Sequence, residues 1–423
     1  MSTNNVPEKV IAVGVVLADQ TRRIADEHLD ELEKLIETAG GVVVAKILAK
    51  RTAPDAATWI GSGKAEEIKR LAEKQNVSLI VFDDELSPAQ TRNLEKIIDT
   101  KVIDRSALIL DIFARRARSR EARTQVELAQ LEYLLPRLTR QWSHLERQAG
   151  GIGTRGVGET QLEIDRRIVR TRIGQLKGEL RKIEQTRHTQ RKSRSAAFTV
   201  ALVGYTNAGK STLFNRLTGG SAWAVDKLFA TLDAKSQRMA YPTPRPTVVI
   251  DTVGFVRKLP HHLVASFRST MEEAVSADLV LHVIDSAHEE QAEVGEEVLR
   301  DLAIAEDRVI EVLNKDDISG AAGTLARRRA ESPSLHISAL TGRGIENLVD
   351  LIRQRELEGG EVLQLEIPHE ESRMLAKLHD VAEVYEQQSA DRGTRVTAWI
   401  PQNAIDRFAH FSVSNASRRA KVG

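Results

Sequence analysis

The 423-residue chain contains no cysteine. This absence excludes a disulfide-held scaffold, a thiolate zinc site, an iron–sulfur cluster and a cysteine nucleophile, and it fits a reducing compartment. The chain also has no run of 18 or more apolar residues, so the sequence predicts no membrane-spanning helix. Its first ten residues, MSTNNVPEKV, are polar and lack the apolar core of a signal peptide. We therefore expect a soluble, cytoplasmic protein.

The composition is that of a folded, multidomain chain. Hydrophobic residues make up 41% and charged residues 29%, which is enough apolar material for buried cores, and the length suggests about three domains. The formal net charge of +1 hides an uneven distribution. Residues 115–195 hold 20 Lys and Arg against 9 Asp and Glu, so one strongly basic region is offset by a more acidic remainder.

The N-terminal region, residues 1–112, shows short apolar runs that alternate with amphipathic stretches. The pattern predicts strands at 10–17, 41–48, 78–82 and 101–103, and helices at 24–38, 64–75 and 88–98. Such alternation is typical of a parallel sheet with crossover helices, so we predict an α/β domain. The loop Gly61–Lys64, GSGK, lacks the upstream glycine and the following Ser or Thr of a phosphate-binding motif. We interpret it as a turn that leads into a helix.

Leucine and isoleucine residues at helical spacing dominate residues 113–195, which we call the basic arm. They predict a first helix that contains Leu128 and Leu131 and is kinked or broken at Pro136. A second helix is predicted over residues 159–192. Two such helices joined by a loop predict an antiparallel hairpin with an apolar seam.

The loop at the tip of the basic arm is GGIGTRGVGET, residues 150–160. Its G-x-G-x-x-G pattern follows a polar helix rather than a strand, which excludes a dinucleotide site. Five glycines and an arginine within nine residues are more than a helix connection requires. We interpret the loop as a flexible basic finger that approaches another surface closely. The candidate RNA-contacting residues are Gly151, Gly153, Thr154, Arg155 and Gly156.

A phosphate-binding loop is the most specific motif in the chain. The apolar run at 198–203 leads into GYTNAGKS, residues 204–211, which is a complete G-x-x-x-x-G-K-S, and a helical pattern follows. In such a loop the backbone N–H groups wrap the phosphates, Lys210 reaches the β- and γ-phosphates, and Ser211 ligates Mg²⁺. The predicted phosphate-binding residues are Gly204, Tyr205, Thr206, Asn207, Ala208, Gly209, Lys210, Ser211, Thr212, Asp251 and Gly254.

Two further elements follow at the positions that a nucleotide switch requires. Thr231 lies about 20 residues past the loop, where its hydroxyl can ligate Mg²⁺ and its backbone can contact the γ-phosphate. A strand at 247–250 ends in DTVG, in which Asp251 would hold the metal through a water and the Gly254 amide would sense the γ-phosphate. Loss of that phosphate would release both loops. The predicted catalytic residues are Lys210, Thr231 and Gly254.

The preference for guanine is predicted by NKDD, residues 314–317, at the end of a strand. Asp317 can accept from the ring N–H and the amine of guanine, a donor pair that adenine does not offer. Asn314 and Lys315 brace the loop and cover the base. A second strand end supplies the backbone contact to the guanine oxygen, at Ser338, Ala339 and Leu340. All these elements in order, each near a strand end, predict a GTPase domain over residues 196–358.

Residues 359–423 predict a small α+β domain, which completes an α/β multidomain chain. We expect strands at 361–367 and 394–400, a helix at 371–388 and a short helix near 404–411. No motif in this domain carries chemistry.

Several of these segments resemble the HflX family of ribosome-associated GTPases. The resemblance lies in GGIGTRGVGETQLE at 150–163, in DKLFATLD at 226–233, which is similar to the family's first switch, and in DTVGFVRKLP at 251–260, which is similar to its second. The order of the parts also matches over nearly all of the chain. The resemblance implies binding of GTP and GDP and of the large (50S) ribosomal subunit and its rRNA. It further implies GTP-dependent splitting of stalled or idle ribosomes under stress.

One residue departs from the small signalling GTPases. Phe255 follows Gly254, where many relatives carry a glutamine that orients the attacking water. Because phenylalanine neither donates nor accepts hydrogen bonds, we expect slow hydrolysis in the isolated protein and a missing group supplied from elsewhere, such as the ribosome. Asn207 resembles the asparagine of potassium-activated GTPases, which makes K⁺ a second candidate. The alternative is that Asn207 simply suits a tight turn.

Other functions remain open from the sequence. The same basic arm would suit a GTPase in large-subunit assembly or tRNA modification, or an RNA-binding scaffold in which nucleotide only stabilises the fold. Peripheral contact with an anionic membrane is disfavoured, because the basic arm has few aromatic residues. No feature of the sequence predicts an oligomer, and we expect a monomer.

Overall fold

The computed structural model describes residues 7–18, 21–138, 161–192, 197–220, 228–229, 231, 233–243, 246–258, 271–318, 334–390 and 392–413. The chain forms two compact units. The first, called the N-terminal unit below, contains Met1–Arg187 together with the segments Val225–Asp233 and Val253–Thr270. The second, called the nucleotide unit, contains His188–Ala224, Ala234–Thr252 and Met271–Gly423.

Four parallel strands form the sheet of the N-terminal unit, in the order β2-β1-β3-β4. The strands are β1 Glu8–Val16, β2 Gly41–Lys50, β3 Leu79–Phe82 and β4 Lys101–Asp104, and the crossover helices are α1 Arg22–Ala39, α2 Ser62–Gln75 and α3 Pro88–Ile98. Residues of α2 and α3 such as Ile68 and Leu94 pack with Ile11, Val13 and Phe82 in one apolar cluster. The predicted α/β alternation is confirmed, with every end within two residues of the prediction.

Local sequence signals fix where these helices begin and end. Ser87 forms a capping box with Gln90 at the start of α3, where Pro88 fits because a first-turn N–H has no helical partner. Gly40 ends α1 at φ +92, a left-handed conformation that glycine adopts without strain. Gly61 has φ +85 and α2 begins at the next residue. The GSGK loop is therefore a turn into a helix, as predicted.

Three further helices complete the described part of the N-terminal unit: α4 Arg105–Arg116, α5 Arg120–Leu134 and α6 Gln161–Lys192. The first predicted arm helix, α5, ends two residues before Pro136, as expected for a residue that cannot continue a helix. Ion pairs from Arg172 to Glu127 at 2.7 Å and from Arg120 to Glu179 at 3.6 Å show that α5 and α6 run antiparallel. The tip loop, residues 150–160, lies outside the described residues.

A six-stranded sheet forms the centre of the nucleotide unit, in the order β10-β9-β8-β5-β7-β6. The strands are β5 Phe198–Val203, β6 Lys235–Arg238, β7 Thr247–Asp251, β8 Leu279–Asp285, β9 Val309–Asn314 and β10 Ser334–His336, and the helices include α7 Lys210–Thr218, α8 Glu289–Asp301 and α9 Ile345–Glu358. All neighbouring strands are parallel except β6, which pairs antiparallel with β7 at the edge. The sequence analysis missed β6 because KSQR is exposed throughout and carries no apolar signal.

An antiparallel three-stranded sheet follows in the same unit, in the order β11-β13-β12. Its elements are β11 Gly360–Pro368, α10 Ser372–Val381, β12 Glu383–Ala390, β13 Gly393–Pro401 and α11 Gln402–Phe408. The predicted helix at 371–388 is wrong beyond residue 381. Glu and Gln favour helix, but pairing of β12 along β13 overrides this preference, and Val384 packs against the core of the sheet. The α/β multidomain fold class is confirmed.

The described helices give no evidence of a membrane-spanning segment. Within the described ranges, none of them combines the length and the apolar content that a bilayer span requires.

The apolar core of the antiparallel sheet yields a stability prediction. Phe408 is fully buried against strands β11 and β13, so Phe408→Ala should lower the free energy of unfolding by about 3–5 kcal/mol through lost burial and a cavity. Tyr385→Ala on the exposed side of β12 is the control and should change it by no more than about 0.5 kcal/mol. Urea titration with hydrogen exchange of β13 measures both. Equal effects of the two substitutions would contradict the described core.

Candidate functional site

The phosphate loop leaves β5 and enters α7 through backbone that only glycine fits at two points. Gly204 has φ +144, and a Cβ placed on it would lie 2.1 Å from the carbonyl oxygen of Val283. Gly209 has φ +96, and its Cβ would lie 2.2 Å from the amide nitrogen of Asn314. Left-handed backbone and the close approach of β8 and β9 thus explain the two glycines of the motif.

Lys210, the first residue of α7, folds back over the loop that precedes it. Its ammonium group is buried and donates to the carbonyl oxygens of Gly204 at 2.9 Å and Tyr205 at 2.8 Å. Burial lowers the pKa of Lys210 to about 8, and the carboxylate of Asp251 acts in the opposite direction. A cation held in this way at the mouth of a helix N-terminus suits a polyphosphate.

Two oxygen donors meet beside the lysine. The hydroxyl of Ser211 donates to Oδ2 of Asp251 at 2.9 Å, and Asp251 is fully buried at the end of β7. Thr252 follows it and is fixed by a hydrogen bond from its hydroxyl to the carbonyl of Leu202, at 2.6 Å. A hydroxyl and a carboxylate are the oxygen donors that Mg²⁺ prefers, so the predicted pair fits that ion.

The other predicted phosphate-loop residues differ in exposure. Tyr205, Thr206 and Ala208 are buried, whereas Asn207 is exposed with φ +64. Asparagine tolerates this left-handed conformation better than most residues. Thr212 follows in the first turn of α7.

Asn314 connects the phosphate loop to the predicted guanine site. Its amide nitrogen donates to the carbonyl of Ala208 at 2.8 Å, and its Oδ1 accepts from the backbone N–H of Ala339 at 2.9 Å. Lys315 has φ +66 and its ammonium group lies 2.7 Å from Asp285 at the end of β8. Asp317 is exposed. The structure therefore joins three strand-end loops through one side chain.

The segment after β10 is rigid on one side and open on the other. Ser338 is fully buried and its hydroxyl accepts from the N–H of Thr341 at 3.1 Å, whereas Leu340 is 71% exposed. Arg216 on α7 donates to the carbonyl of Ala339 at 3.2 Å. The backbone of this segment is therefore held by hydrogen bonds, while the side chain of Leu340 is exposed.

Sequence reasoning missed Arg216 and Asp285 as bracing residues. Both had a usable signal, because Arg216 lies on the helix that the phosphate loop begins and Asp285 ends a buried strand at the carboxyl edge. Their partners, however, come from segments 30 and 123 residues away in the chain, and only the fold brings these together.

The remaining predicted site residues are not part of the described nucleotide unit. Thr231 and Gly254 belong to the N-terminal unit, in the segments Val225–Asp233 and Val253–Thr270; Thr231 is buried and Gly254 half-buried. The candidate RNA-contacting residues at 151–156 lie outside the described residues.

A glycine-bounded phosphate loop, a buried lysine and an Asn-Lys-x-Asp loop at one edge of a parallel sheet define a P-loop protein of the GTPase class. Three family models match the chain in order. They are described as GTP-binding GTPase N-terminal over residues 26–114, GTP-binding GTPase Middle Region over 116–194 and 50S ribosome-binding GTPase over 199–315.

Similarity to individual proteins identifies the family within this class. The chain is 43% identical over 409 residues to the GTPase HflX of Lacrimispora saccharolytica, which covers 96% of both chains. It is 44% identical over 377 residues to the GTPase HflX of Escherichia coli, which covers 87% of this chain and 88% of that one. The chain belongs to the HflX GTPase family, and it is a GTPase. A solved GTP-binding protein of Sulfolobus solfataricus in complex with GDP aligns over 82% of this chain and 98% of its own, at 26% identity and a TM-score of 0.44.

The contact between Gly209 and Asn314 yields a binding prediction. Gly209→Ala places a methyl group against the Asn314 amide and strains the left-handed backbone, so we expect at least a tenfold loss of GTP affinity in a fluorescent-nucleotide titration. Gly174→Ala on α6, where a Cβ meets nothing within 4 Å, is the control and should bind normally. Unchanged affinity of the Gly209 variant would contradict the described loop.

The lowered pKa of Lys210 yields a pH prediction. Between pH 8 and 10.5 the unfolded chain holds a proton on Lys210 that the folded chain has released, so the free energy of unfolding of the nucleotide-free protein rises across this window. The total change is on the order of 3 kcal/mol. Lys210→Met carries no buried charge, so we expect it to be more stable than the wild type at pH 7. Because the variant lacks the gain with pH, this difference in the free energy of unfolding should shrink from pH 7 to pH 10.5. Urea titrations at both pH values measure it; a pH-independent difference would refute it.

Proposed function

We propose that this GTPase binds the large (50S) ribosomal subunit and uses GTP binding and hydrolysis to split stalled or idle ribosomes under stress. The observation that carries the proposal is the match of residues 199–315 to a family model described as a 50S ribosome-binding GTPase, in a chain that also holds a strongly basic helical arm. Ribosomal RNA is a polyanion, and a protein with clustered cations binds it through its phosphates.

The charges on the described arm helices support this partner. Arg172 and Lys177 on α6 are paired with glutamates of α5, at 2.7 and 2.8 Å. Arg170 and Arg181 on the same helix are exposed and make no ion pair among the described residues. The pairs hold the hairpin together, and the exposed arginines are the ones available for phosphates. Residues 151 and 153–156 of the finger are further proposed RNA contacts.

Within the site, each residue has a proposed role. Lys210 and the backbone amides of residues 204–212 bind the phosphates, and Asp317 with the backbone of 338–340 selects guanine. Ser211 and Asp251 fit Mg²⁺, and Thr231 is its further proposed ligand; the ion supplies charge neutralisation on the β- and γ-phosphates when it is bound. Gly254 senses the γ-phosphate. The left-handed backbone of Asn207 supports its interpretation as a turn residue, and we propose no potassium site.

Hydrolysis would depend on the partner. Phe255 is 4% exposed and its ring is packed inside the protein, so it cannot orient water. An intrinsic rate on the order of 10⁻⁴–10⁻² s⁻¹ follows by analogy with unassisted GTPases, with the missing group supplied by the ribosome. In the proposed division of the chain, residues 1–112 form the N-terminal α/β subdomain and 113–195 the basic arm that binds RNA. Residues 196–358 bind nucleotide, and 359–423 form the C-terminal domain.

A pelleting assay with purified 50S subunits tests the proposal. We expect tight binding with a non-hydrolysable GTP analogue, weak binding with GDP, and a loss of affinity as salt rises. The double variant Arg170→Gln and Arg181→Gln should reduce the salt slope by about 2, one unit for each lost phosphate contact. Arg70→Gln, an exposed arginine on α2, is the control. Equal pelleting in both nucleotide states would count against the proposal.

Turnover and ribosome state complete the test. GTP hydrolysis should rise at least tenfold on addition of 50S subunits. On sucrose gradients, 70S ribosomes should convert to free subunits with GTP and the wild-type chain, and not with Lys210→Ala. If loss of the protein instead causes precursor particles to accumulate, a role in large-subunit assembly replaces ribosome splitting.

A further inference from the structure

Thr231 lies between Phe229 and Asp233, and both of these residues contact other residues of the N-terminal unit. Phe229, two residues before it, is 2% exposed, and its ring meets that of Phe113 on α4 edge-on, with centroids 4.6 Å apart and 80° between the planes. Asp233, two residues after it, contacts the start of α5. Thr231 itself is 6% exposed. The segment is therefore fixed on both sides of the threonine.

Asp233 places a carboxylate at the start of the first helix of the basic arm. Its Oδ2 accepts from the backbone N–H groups of Arg118 and Ser119 at 3.1 and 3.2 Å, and its Oδ1 accepts from the Ser119 hydroxyl. Ser119 is the N-cap of α5, where its hydroxyl oxygen accepts from the N–H of Ala122 at 3.0 Å. A carboxylate at this point satisfies N–H groups and is favoured by the helix dipole. The start of α5 is thus held by a residue 114 positions further along the chain.

The backbone on the other side of Thr231 carries strain. Phe229 has φ +56, a left-handed conformation that is unfavourable for a bulky residue. Such a conformation persists only where the surroundings hold it, and here the burial of the ring against Phe113 does so. Phe229 and Asp233 are therefore both held by other residues of the N-terminal unit.

Two residues of the second switch-like segment, Arg257 and Lys258, are held in the same unit by ion pairs. The ammonium group of Lys258 lies 2.7 Å from Asp83 and 2.6 Å from Asp84, at the carboxyl end of β3. Arg257 pairs with Glu31 on α1 at 2.9 Å. Burial disfavours the charge on Lys258, but the two aspartates outweigh it and hold its pKa above the ordinary value.

A buried arginine ties these contacts into one network. Arg105, at the start of α4, is 2% exposed and lies 2.6 Å from Asp83 and 2.9 Å from Glu31. Asp83 therefore binds both Arg105 and Lys258, and Glu31 binds both Arg105 and Arg257. Removing one member leaves buried charge unpaired, so the network behaves as a unit.

We propose that Asp233 is a positioning residue through which the nucleotide state of the GTPase reaches the basic arm. When Thr231 is drawn to the bound nucleotide, Asp233 is displaced from the start of α5, and the N–H groups of Arg118 and Ser119 lose its carboxylate. The inference rests on the role of Thr231 given under the proposed function.

A movement of Thr231 that is larger than a few ångströms carries this coupling. Two residues span at most about 7 Å, even when they are fully extended, so Thr231 cannot move by more than a few ångströms while Asp233 and Phe229 stay in place. By linkage, the contacts that oppose the movement of Thr231 must also weaken the binding of GTP relative to GDP. Coupling of this kind is typically on the order of 5–150-fold in affinity.

Hydrogen exchange on the full-length chain tests the displacement directly. The readout is the peptide that contains the amides of Arg118 and Ser119, with GDP or with a non-hydrolysable GTP analogue bound. We expect exchange at these amides to be at least fivefold faster with the analogue. Equal or slower exchange would overturn the proposal. This comparison uses only the wild-type protein, so it does not depend on the folding of any variant.

Variants test the reciprocal effect. Asp233→Ala should make exchange at the two amides fast with both nucleotides, and it should raise the ratio of GTP-analogue to GDP affinity at least fivefold. Asp30→Ala, which removes an exposed partner of Lys46 in the same unit, is the matched control and should change neither quantity. An affinity ratio for Asp233→Ala that is unchanged or lowered would refute the coupling.

The same measurements separate this inference from the proposed site. If Thr231→Ala leaves the ratio of analogue to GDP affinity unchanged, the role of Thr231 fails, and the coupling fails with it. If Thr231→Ala lowers the ratio but the exchange at Arg118 and Ser119 does not depend on nucleotide, the site stands and the coupling alone is wrong.

Discussion

The two hydrogen bonds of the Asn314 side chain are the constraint on which the nucleotide site depends. The carboxyl ends of β5, β9 and β10 lie at one edge of a parallel sheet, so their loops start as neighbours. Sheet geometry alone does not set the distance between those loops. The Asn314 amide does, by binding the carbonyl of Ala208 on one side and the N–H of Ala339 on the other. The close approach of this amide also explains why residue 209 must be glycine.

The charged residues of this protein are unevenly distributed along the chain, so the net charge does not describe any one region. The net charge of +1 combines a basic arm with an acidic remainder. Part of the arm's charge is used within the molecule, as in the pair of Arg172 and Glu127 between α6 and α5. Another part of the chain's charge is buried, where Arg105 is enclosed by two carboxylates. Only the exposed remainder is free for a polyanionic partner.

The two compact units do not follow the motifs in chain order. The segments Val225–Asp233 and Val253–Thr270 lie within the sequence of the predicted GTPase domain, yet they belong to the N-terminal unit. A loop without a core of its own takes its structure from the surface that holds it. Here that surface provides an aromatic ring at Phe113 and two carboxylates at Asp83 and Asp84. These contacts join Phe229 to α4 and Lys258 to the loop after β3.

The sequence by itself determined the elements with strong local signals. The N-terminal alternation, the helix end before Pro136 and the phosphate loop at 204–211 could be located because apolar periodicity, proline and glycine act within a few residues. It could not determine β12, because Glu and Gln favour helix locally and only pairing with β13 overrides them. Nor could it reveal that Arg216 and Asp285 brace the loops after β10 and β9, or that Asp233 binds the start of α5 and Lys258 binds Asp83. Those contacts join residues that are 30 to 175 positions apart, and such pairs are chosen by the packing of whole elements, which leaves no periodic trace in the chain.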